Sequence, residues 1–285
     1  MNRRTHALSA LALAFLVALA GCSAFVADQE EKEVPDADEI QADAVAQLSS
    51  VESYNYSMTT TIEFGGNNLT STAVGTVNRT AQRMSADPMT TTVRTNSTTS
   101  KKVSRAYVIG DQQCIHVNST WEQKSTDRSP WRGGANLSTQ QELLNSSTAT
   151  VTNGTLDGQA VYVIEVKPDN EAIRKLVGEQ ESGDEVEFRN VTYRQFVDKD
   201  SKNLLKSAMS ATYVVSGREA TMKVEMSFSD YNTSHPVTLP KEAVKDGKKA
   251  GPCAGMASGS TGGDGGNDGS GSSSSVQSGW LFDWF

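Results

Sequence analysis

The most regular pattern in the chain is Ala220-Thr221-Met222-Lys223-Val224-Glu225-Met226-Ser227-Phe228-Ser229. Every second residue in this segment is apolar, and the residues between them are polar or charged. Successive side chains of a β-strand point to opposite faces of the sheet. The segment is therefore predicted to be a strand with one buried face and one solvated face.

Similar segments extend on the N-terminal side through most of residues 51–240. Residues 54–64 show the same alternation and end at a turn, Gly65-Gly66-Asn67-Asn68. Gly110-Asp111 separates two strand-like segments, which predicts a hairpin. The region from 191 to 229 is predicted to be a meander of strands. About ten strands are expected in all, joined mostly by short turns.

Three helices are predicted among these strands. The first begins at Asp36, where Glu39 completes a capping-box-like pair. Its apolar residues fall on one face, so it is expected to pack against the sheet. These residues are Ile40, Ala44, Val45, Leu48 and Val51. Two shorter helices are predicted over 138–145 and 169–178, the first of them after a loop that holds Trp121 and Trp131.

The N-terminus has the layout of a secretory signal. Arg3 and Arg4 precede an apolar run that ends in Leu19-Ala20-Gly21-Cys22. From Ala7 to Ala20 this run has 14 residues, too few to span about 30 Å of hydrocarbon. Leu-Ala-Gly-Cys resembles the lipobox of prokaryotic lipoproteins, which implies cleavage before Cys22 and a diacylglyceryl thioether on its sulfur. Two alternatives remain open: an ordinary cleaved signal with a chance cysteine, and export by the twin-arginine route.

Composition divides the chain into five predicted parts. These are a lipoprotein signal peptide (1–21), an acidic tether (22–35), a folded domain (36–253), a linker rich in Gly, Ser and Asp (254–279) and an aromatic tip (280–285). Residues 23–50 carry eight acids and one lysine, a net charge of −7. Such a charge is repelled by anionic headgroups and suits a tether that stands off the surface. We expect the anchored protein on the outer face of the cytoplasmic membrane.

Three roles are open for the aromatic tip. Its apolar side chains suit the membrane interface, where Trp and Phe are favoured, or a protein partner. The third is that the tip folds back on its own domain or makes no contact. The residues concerned are Trp280, Leu281, Phe282, Trp284 and Phe285.

Two features suit a compartment outside the cytoplasm. Once Cys22 carries lipid, Cys114 and Cys253 remain as an even pair, and an oxidising space predicts a disulfide between them. The Asn-x-Ser/Thr sequons predict N-glycosylation, which fits an exported prokaryotic, in particular archaeal, lipoprotein. The sequon asparagines are Asn55, Asn68, Asn78, Asn96, Asn118, Asn136, Asn145, Asn153, Asn190 and Asn232.

Sequence patterns for catalysis are poor. His116 would share a strand face with Cys114, but no further Cys or His completes a metal site. Gly251-Pro252-Cys253-Ala254-Gly255 resembles a nucleophile elbow, yet lysines precede it and a linker follows, where that motif needs a strand and a helix. The folded part carries no basic stripe for nucleic acid. We therefore predict a protein that is not an enzyme and has no metal, no cofactor and no nucleic-acid partner.

The order of elements and five short segments resemble the LolA and LppX/LprG lipoprotein superfamily over about residues 45–240. The segments are Ala46-Gln47-Leu48-Ser49-Ser50-Val51-Glu52-Ser53-Tyr54, Tyr107-Val108-Ile109-Gly110-Asp111, Tyr162-Val163-Ile164-Glu165-Val166, Phe196-Val197-Asp198-Lys199-Asp200 and Phe228-Ser229-Asp230-Tyr231-Asn232. The resemblance implies an α+β fold: a curved antiparallel half-barrel with helices covering its concave face. It also implies a cavity for acyl chains.

The leading functional hypothesis is a lipid or other apolar ligand held between the sheet and the helices. Methionine adapts its shape and suits a surface that accepts variable apolar partners. The predicted lining residues are Tyr56, Met58, Ile62, Met222, Val224, Met226 and Phe228, covered by Ile40, Leu48 and Val51 of the first helix. The alternative, from a different class, is a surface interaction or sensory module that uses the same fold without a ligand.

Overall fold

The computed structural model describes residues 36–125, 137–146, 148–168, 187–215, 217–233, 236–246 and 249–257. All described residues belong to one compact unit, which begins at residue 36. The predicted signal peptide, Cys22, the tether, the helix over 169–178 and the aromatic tip lie outside the described residues.

The described part of the domain is mostly β-structure. The strands are β1 (Ser53–Phe64), β2 (Asn67–Asn78), β3 (Arg83–Thr95), β4 (Thr98–Ile109), β5 (Gln112–Val117), β6 (Thr120–Ser125), β7 (Ala149–Leu156), β8 (Gln159–Val166), β9 (Glu187–Asp198), β10 (Leu204–Val215), β11 (Arg218–Ser229), β12 (Lys245–Asp246) and β13 (Lys249–Ala250). Trp121 lies in β6, so its predicted place in a loop is wrong. That strand carries Glu122, Gln123 and Lys124 in succession, which hides any alternation. Trp131 lies outside the described residues.

Eleven of these described strands form one antiparallel sheet in the order β6-β5-β4-β3-β2-β1-β11-β10-β9-β8-β7. Its two edge strands, β6 and β7, do not pair with each other, so the sheet is open. The predicted α+β fold with a curved antiparallel half-barrel is confirmed, with eleven strands in place of about ten. β12 and β13 form a separate two-stranded sheet.

The centre of the large sheet is the pairing of β1 with β11, the two strands with the clearest alternation. In its register Tyr56 lies opposite Phe228, Met58 opposite Met226, and Ile62 opposite Met222. Because side chains alternate along each strand, these apolar residues all share one face. We call this face, which carries Tyr56, Met58 and Met226, the inner face.

Two helices pack on the inner face: α1 (Ala37–Ser50) and α2 (Leu137–Ser146). Helix α1 begins at Asp36, whose carboxylate accepts a 3.0 Å hydrogen bond from the backbone N–H of Asp38. As predicted, its residues Ile40, Ala44 and Leu48 are buried. None of the described helices is long and apolar enough to cross a membrane.

A second, smaller core lies on the opposite face, which we call the outer face. There residues 236–246 and 249–257, with the short helices α3 (Lys241–Val244) and α4 (Ala254–Ala257), pack on β4 and β5. A disulfide joins Cys114 to Cys253, with 5.9 Å between the two Cα atoms. The predicted pairing is therefore present, and it attaches the C-terminal end of the described domain to the hairpin of β4 and β5.

Candidate ligand site on the inner face of the sheet

The predicted lining residues come together on β1 and β11. Tyr56, Met58, Met222, Val224, Met226 and Phe228 belong to one continuous hydrophobic core and are each at most 5% exposed. Ile62, on the same face, is only partly buried and packs against that core. The alternation therefore identified which side chains share this face, and the two helices cover them.

Methionine dominates the inner face. Met58, Met84, Met89, Met209, Met222 and Met226 all belong to its core, which is six of the eight methionines in the chain. Between them stand small residues, among them Ala73, Ala86, Ala106 and Ala211. Unbranched thioether side chains beside small neighbours can be repacked at low cost. The face therefore has apolar side chains that can change shape.

Helices α1 and α2 are antiparallel to each other and joined by side-chain hydrogen bonds. Gln41 of α1 donates to the carbonyl oxygen of Leu144, and Gln141 of α2 donates to the hydroxyl of Ser49 at 2.8 Å. Ile40, Leu48 and Val51 are buried beneath this pair of helices. The cover predicted for the first helix thus has a second helix beside it.

Both helices are attached to the sheet at the same end. The hydroxyl of Tyr54 accepts from the backbone N–H of Leu137, where α2 begins. The guanidinium of Arg79 donates to the carbonyl oxygens of Leu48 and Val51, each at 2.8 Å, and so caps the end of α1. Burial raises the pKa of Tyr54 and of Tyr56, which keeps both phenols neutral on this face.

The sequence prediction missed a polar cluster at the centre of the inner face. It consists of Tyr193 and Gln195 of β9, Ser207 of β10 and Gln140 of α2, each at most 2% exposed. Burial raises the pKa of Tyr193, while hydrogen bonds from Gln195 and Ser207 act in the opposite direction. A signal was available, because Val191, Tyr193, Gln195 and Val197 alternate and a buried strand position falls on glutamine.

A row of hydroxyls crosses three neighbouring strands of the same face. Thr60 lies opposite Ser71, and Ser71 lies opposite Thr91. The Ser71 and Thr91 hydroxyls are 3.3 Å apart, and Ser71 is buried. The inner face is thus mainly apolar with a few fixed polar groups, the composition typical of small-molecule sites.

A separate depression of about 360 Å³ opens where α1 joins β1. It is lined by Glu52, Ser53, Asn78, Thr80, Ala81, Asn232 and Thr233. None of the predicted ligand-lining residues is among them. Its polar walls make it unsuitable for an acyl chain.

The described residues contain no group of three His, Cys, Asp or Glu side chains placed to hold a metal ion. Cys114 is in the disulfide, and the ring of His116 stands 4.7 Å from that of Trp121, measured between centroids. His235 lies outside the described residues. In this fold Cys114 is therefore bonded to Cys253, and the His116 ring lies against Trp121.

The sequons fall into three groups. Asn55, Asn68 and Asn78 are partly buried, whereas Asn136 lies outside the described residues. Asn55 uses both ends of its amide: it donates to Asp230 and accepts from Thr76, each at 2.8 Å. The exposed asparagines are Asn96, Asn118, Asn145, Asn153, Asn190 and Asn232.

No protein-family model and no curated protein matches the chain. Among solved structures, LprF from Mycobacterium bovis is 14% identical, with 73% of this chain and 97% of that chain covered and a TM-score of 0.48. Lipoprotein LppX from Mycobacterium tuberculosis is 12% identical, with 71% and 99% covered and a TM-score of 0.43. A LolA superfamily protein from Nitrosomonas europaea is 9% identical, with 75% and 99% covered and a TM-score of 0.27.

All three TM-scores are below 0.5, so these likenesses carry no argument about this chain. The function of this chain has to be argued from its own inner face.

Proposed function

We propose that this protein is a lipid-anchored extracytoplasmic protein that holds an acyl chain between the inner face of its sheet and helices α1 and α2. The methionine layer on that face is the observation that carries the proposal. Each methylene group transferred from water into such a layer contributes roughly 0.8 kcal/mol. Adaptable side chains let the layer accommodate a chain without a cavity of fixed shape.

The cover is suited to admitting a ligand. Helix α2 has only 10 residues; its first N–H bonds Tyr54, and its Gln141 bonds Ser49 of α1. Displacing a short helix exposes apolar surface that an acyl chain can then cover.

The anchor in this proposal is Cys22, which holds the domain on the outer face of the cytoplasmic membrane through the acidic tether. The support is the lipobox and the charge of the residues that follow it. The aromatic residues Trp280, Leu281, Phe282, Trp284 and Phe285 give a second contact, with the membrane interface or with a protein partner. The sequons are proposed as sites of glycosylation outside the cell.

The test is native mass spectrometry of the membrane-extracted protein, compared with a Met226→Trp variant. We expect the parent to carry a bound lipid, and the variant to stay folded with lower lipid occupancy, because the indole takes the ligand's volume. A matched control is Val103→Trp, which adds the same indole at an outer-face side chain that is 53% exposed. The control should retain the lipid.

A second candidate is a surface interaction module with no ligand. The observation in its favour is that six of the seven predicted lining side chains are almost fully buried among themselves and the helices. A filled core would lose roughly 1 to 3 kcal/mol on insertion of the indole. If Met226→Trp unfolds the domain and the parent is detected only as bare protein, lipid binding should be abandoned in favour of this module.

A further inference from the structure

One buried side-chain atom in the described residues has no hydrogen-bond partner: Oε1 of Gln195. Gln195 is 0% exposed and lies in β9, facing Ile164 of β8 and Ser207 of β10. A buried carbonyl oxygen without a donor destabilises the folded state. Such a group in a native interior calls for a partner that the folded chain itself does not supply.

The orientation of the Gln195 amide is fixed by its neighbours. Its Nε2 donates to the backbone oxygen of Gln140 at 3.1 Å and to the hydroxyl of Tyr193 at 2.9 Å. Turning the amide over would place Oε1 against the Gln140 carbonyl oxygen, and two acceptors repel each other. The unpartnered atom is therefore the oxygen, and only a donor can satisfy it.

Helix α2 already occupies part of this polar cluster. The Tyr193 hydroxyl donates to the side-chain oxygen of Gln140, and the Ser207 hydroxyl also bonds the Tyr193 hydroxyl. The side-chain oxygen of Gln140 thus accepts from Tyr193, and its backbone oxygen accepts from the Gln195 nitrogen. Neither gives the Gln195 Oε1 a hydrogen-bond donor. Gln140 is an incomplete partner for the groups that the sheet presents.

We infer that Tyr193, Gln195 and Ser207 form a polar subsite for a hydroxyl-bearing lipid, and that Gln140 of α2 stands in that subsite when it is empty. This inference rests on the proposed function. A hydroxyl group donates one proton and accepts others, so it can donate to Gln195 Oε1 while accepting from the Tyr193 hydroxyl. An ester or ether oxygen can only accept, and a carboxylate would be buried without a counter-charge. The subsite therefore selects a neutral lipid with a free alcohol.

The experiment measures binding of two probes to the detergent-solubilised full-length protein: 1,2-dioctanoylglycerol and its 3-O-methyl ether. The probes share their acyl chains, and the ether lacks only the donor. We expect the parent to bind the alcohol about five- to tenfold more tightly, the value of one buried hydrogen bond. Gln195→Met keeps the length of the side chain and should reduce this preference to about unity. Ser104→Ala, which removes a buried hydroxyl opposite Met89 on the same face, should keep it.

A second variant covers the case in which Gln195→Met does not fold. Gln140→Ala removes the group that the ligand must displace, so its affinity for the alcohol should rise, and an unchanged affinity would overturn the inference. Equal binding of both probes by the parent, or full preference in a folded Gln195→Met protein, would overturn it too and leave acyl-chain binding intact. If the parent binds neither probe and carries no lipid on extraction, the proposed function fails and the inference with it. A co-purifying lipid without a hydroxyl would contradict the inference alone.

Discussion

The hydroxyl of Tyr54 accepts a 3.2 Å hydrogen bond from the backbone N–H of Leu137, the first residue of α2. The first N–H groups of a helix have no partner within the helix. Here a side chain from the first strand of the sheet supplies one, 83 residues away in sequence. Tyr54 therefore both packs in the core and bonds the first residue of α2.

Replacing Tyr54 with Phe should test this cap. The substitution keeps the ring and removes the acceptor, so we expect a loss of about 1 to 2 kcal/mol in the free energy of unfolding. Urea unfolding measures it. Tyr213→Phe is the matched control, since Tyr213 is partly buried and its hydroxyl makes none of the described bonds. Equal losses in the two variants would show that the Leu137 bond contributes nothing.

Arg79 should be required for the end of α1 to stay in place. Arg79→Met leaves the carbonyl oxygens of Leu48 and Val51 without their donor, and we expect a loss of about 1 to 3 kcal/mol. Amide hydrogen exchange in the last turn of α1 should accelerate. Both bonds come from one guanidinium nitrogen, Nη1; Arg79→Lys keeps the charge but replaces that nitrogen with an ammonium on a more flexible side chain, so it should restore only part of the protection. Full protection in Arg79→Met would rule out this role.

Asp198 should make the stability of the domain depend on pH. Burial alone would raise the pKa of this carboxyl, but hydrogen bonds from Ser201 and Gln159 outweigh burial and lower it. A lowered folded-state pKa means that the ionised form stabilises the fold above the unfolded-state pKa of about 4. That stabilisation is lost as the pH falls through the folded-state pKa.

The comparison is with Asp198→Asn, by urea unfolding between about pH 3 and pH 7. The parent should be the more stable protein at the upper end of this range. The difference should shrink as the solution becomes acidic, because protonation removes the charge from the parent as well. A difference that grows on acidification would contradict the assignment.

Glycosylation should follow the accessibility of the sequons. Asn96 and Asn118 are exposed in the tight turns between β3 and β4 and between β5 and β6, with φ angles of 53° and 51°. Asn55 lies within β1 with both ends of its amide bonded. Glycopeptide mapping of the protein from its own host should find glycan at Asn96 and Asn118 and none at Asn55. A glycan at Asn55 with none at Asn96 and Asn118 would contradict this prediction.

Cys22→Ala should abolish membrane anchoring. Without the thiol no thioether can form, so the protein should accumulate as uncleaved precursor or be released. Membrane fractionation with mass determination of the chain checks this. If a chain of mature size still partitions into membranes, the anchor lies elsewhere, and deletion of residues 280–285 would then locate it.

The sequence predicted the faces of the central strands but not the contacts between distant segments. The alternation in β11 placed Met222, Met226 and Phe228 on one face because a period of two depends only on local geometry. The Tyr54 and Leu137 bond depends on how a helix is positioned over the sheet, and no local pattern encodes that. Gln195 was not predicted as a site residue because the lining residues were predicted from apolar alternation, and glutamine is polar.

The packing of the smaller core on the outer face was not predicted either, for the same reason. The folded domain was predicted to end at Cys253, but no packing was predicted for the residues after Pro240 apart from the disulfide. Instead Ala243, Cys253 and Met256 are buried against Tyr107 on the outer face. Lysines and glycines interrupt this segment and most of its apolar residues are alanine, so it gives no periodic signal.

The pairing of β1 with β11 has a consequence for how the protein forms. Strands β1 to β6 are joined by short turns to their neighbours, as are β7 to β8 and β9 to β11, whereas Tyr56 and Phe228 are 172 positions apart (228 − 56). Non-local strand pairing is slow, because the chain between the partners must be ordered first. A polypeptide that emerges N-terminus first can form its early hairpins at once. The pairing of β1 with β11 at the middle of the sheet cannot form until β11 has emerged. Tyr56 and Met58 of β1 remain exposed during that interval, so the newly emerged chain is most vulnerable to aggregation along the strand that later lies at the centre of its core.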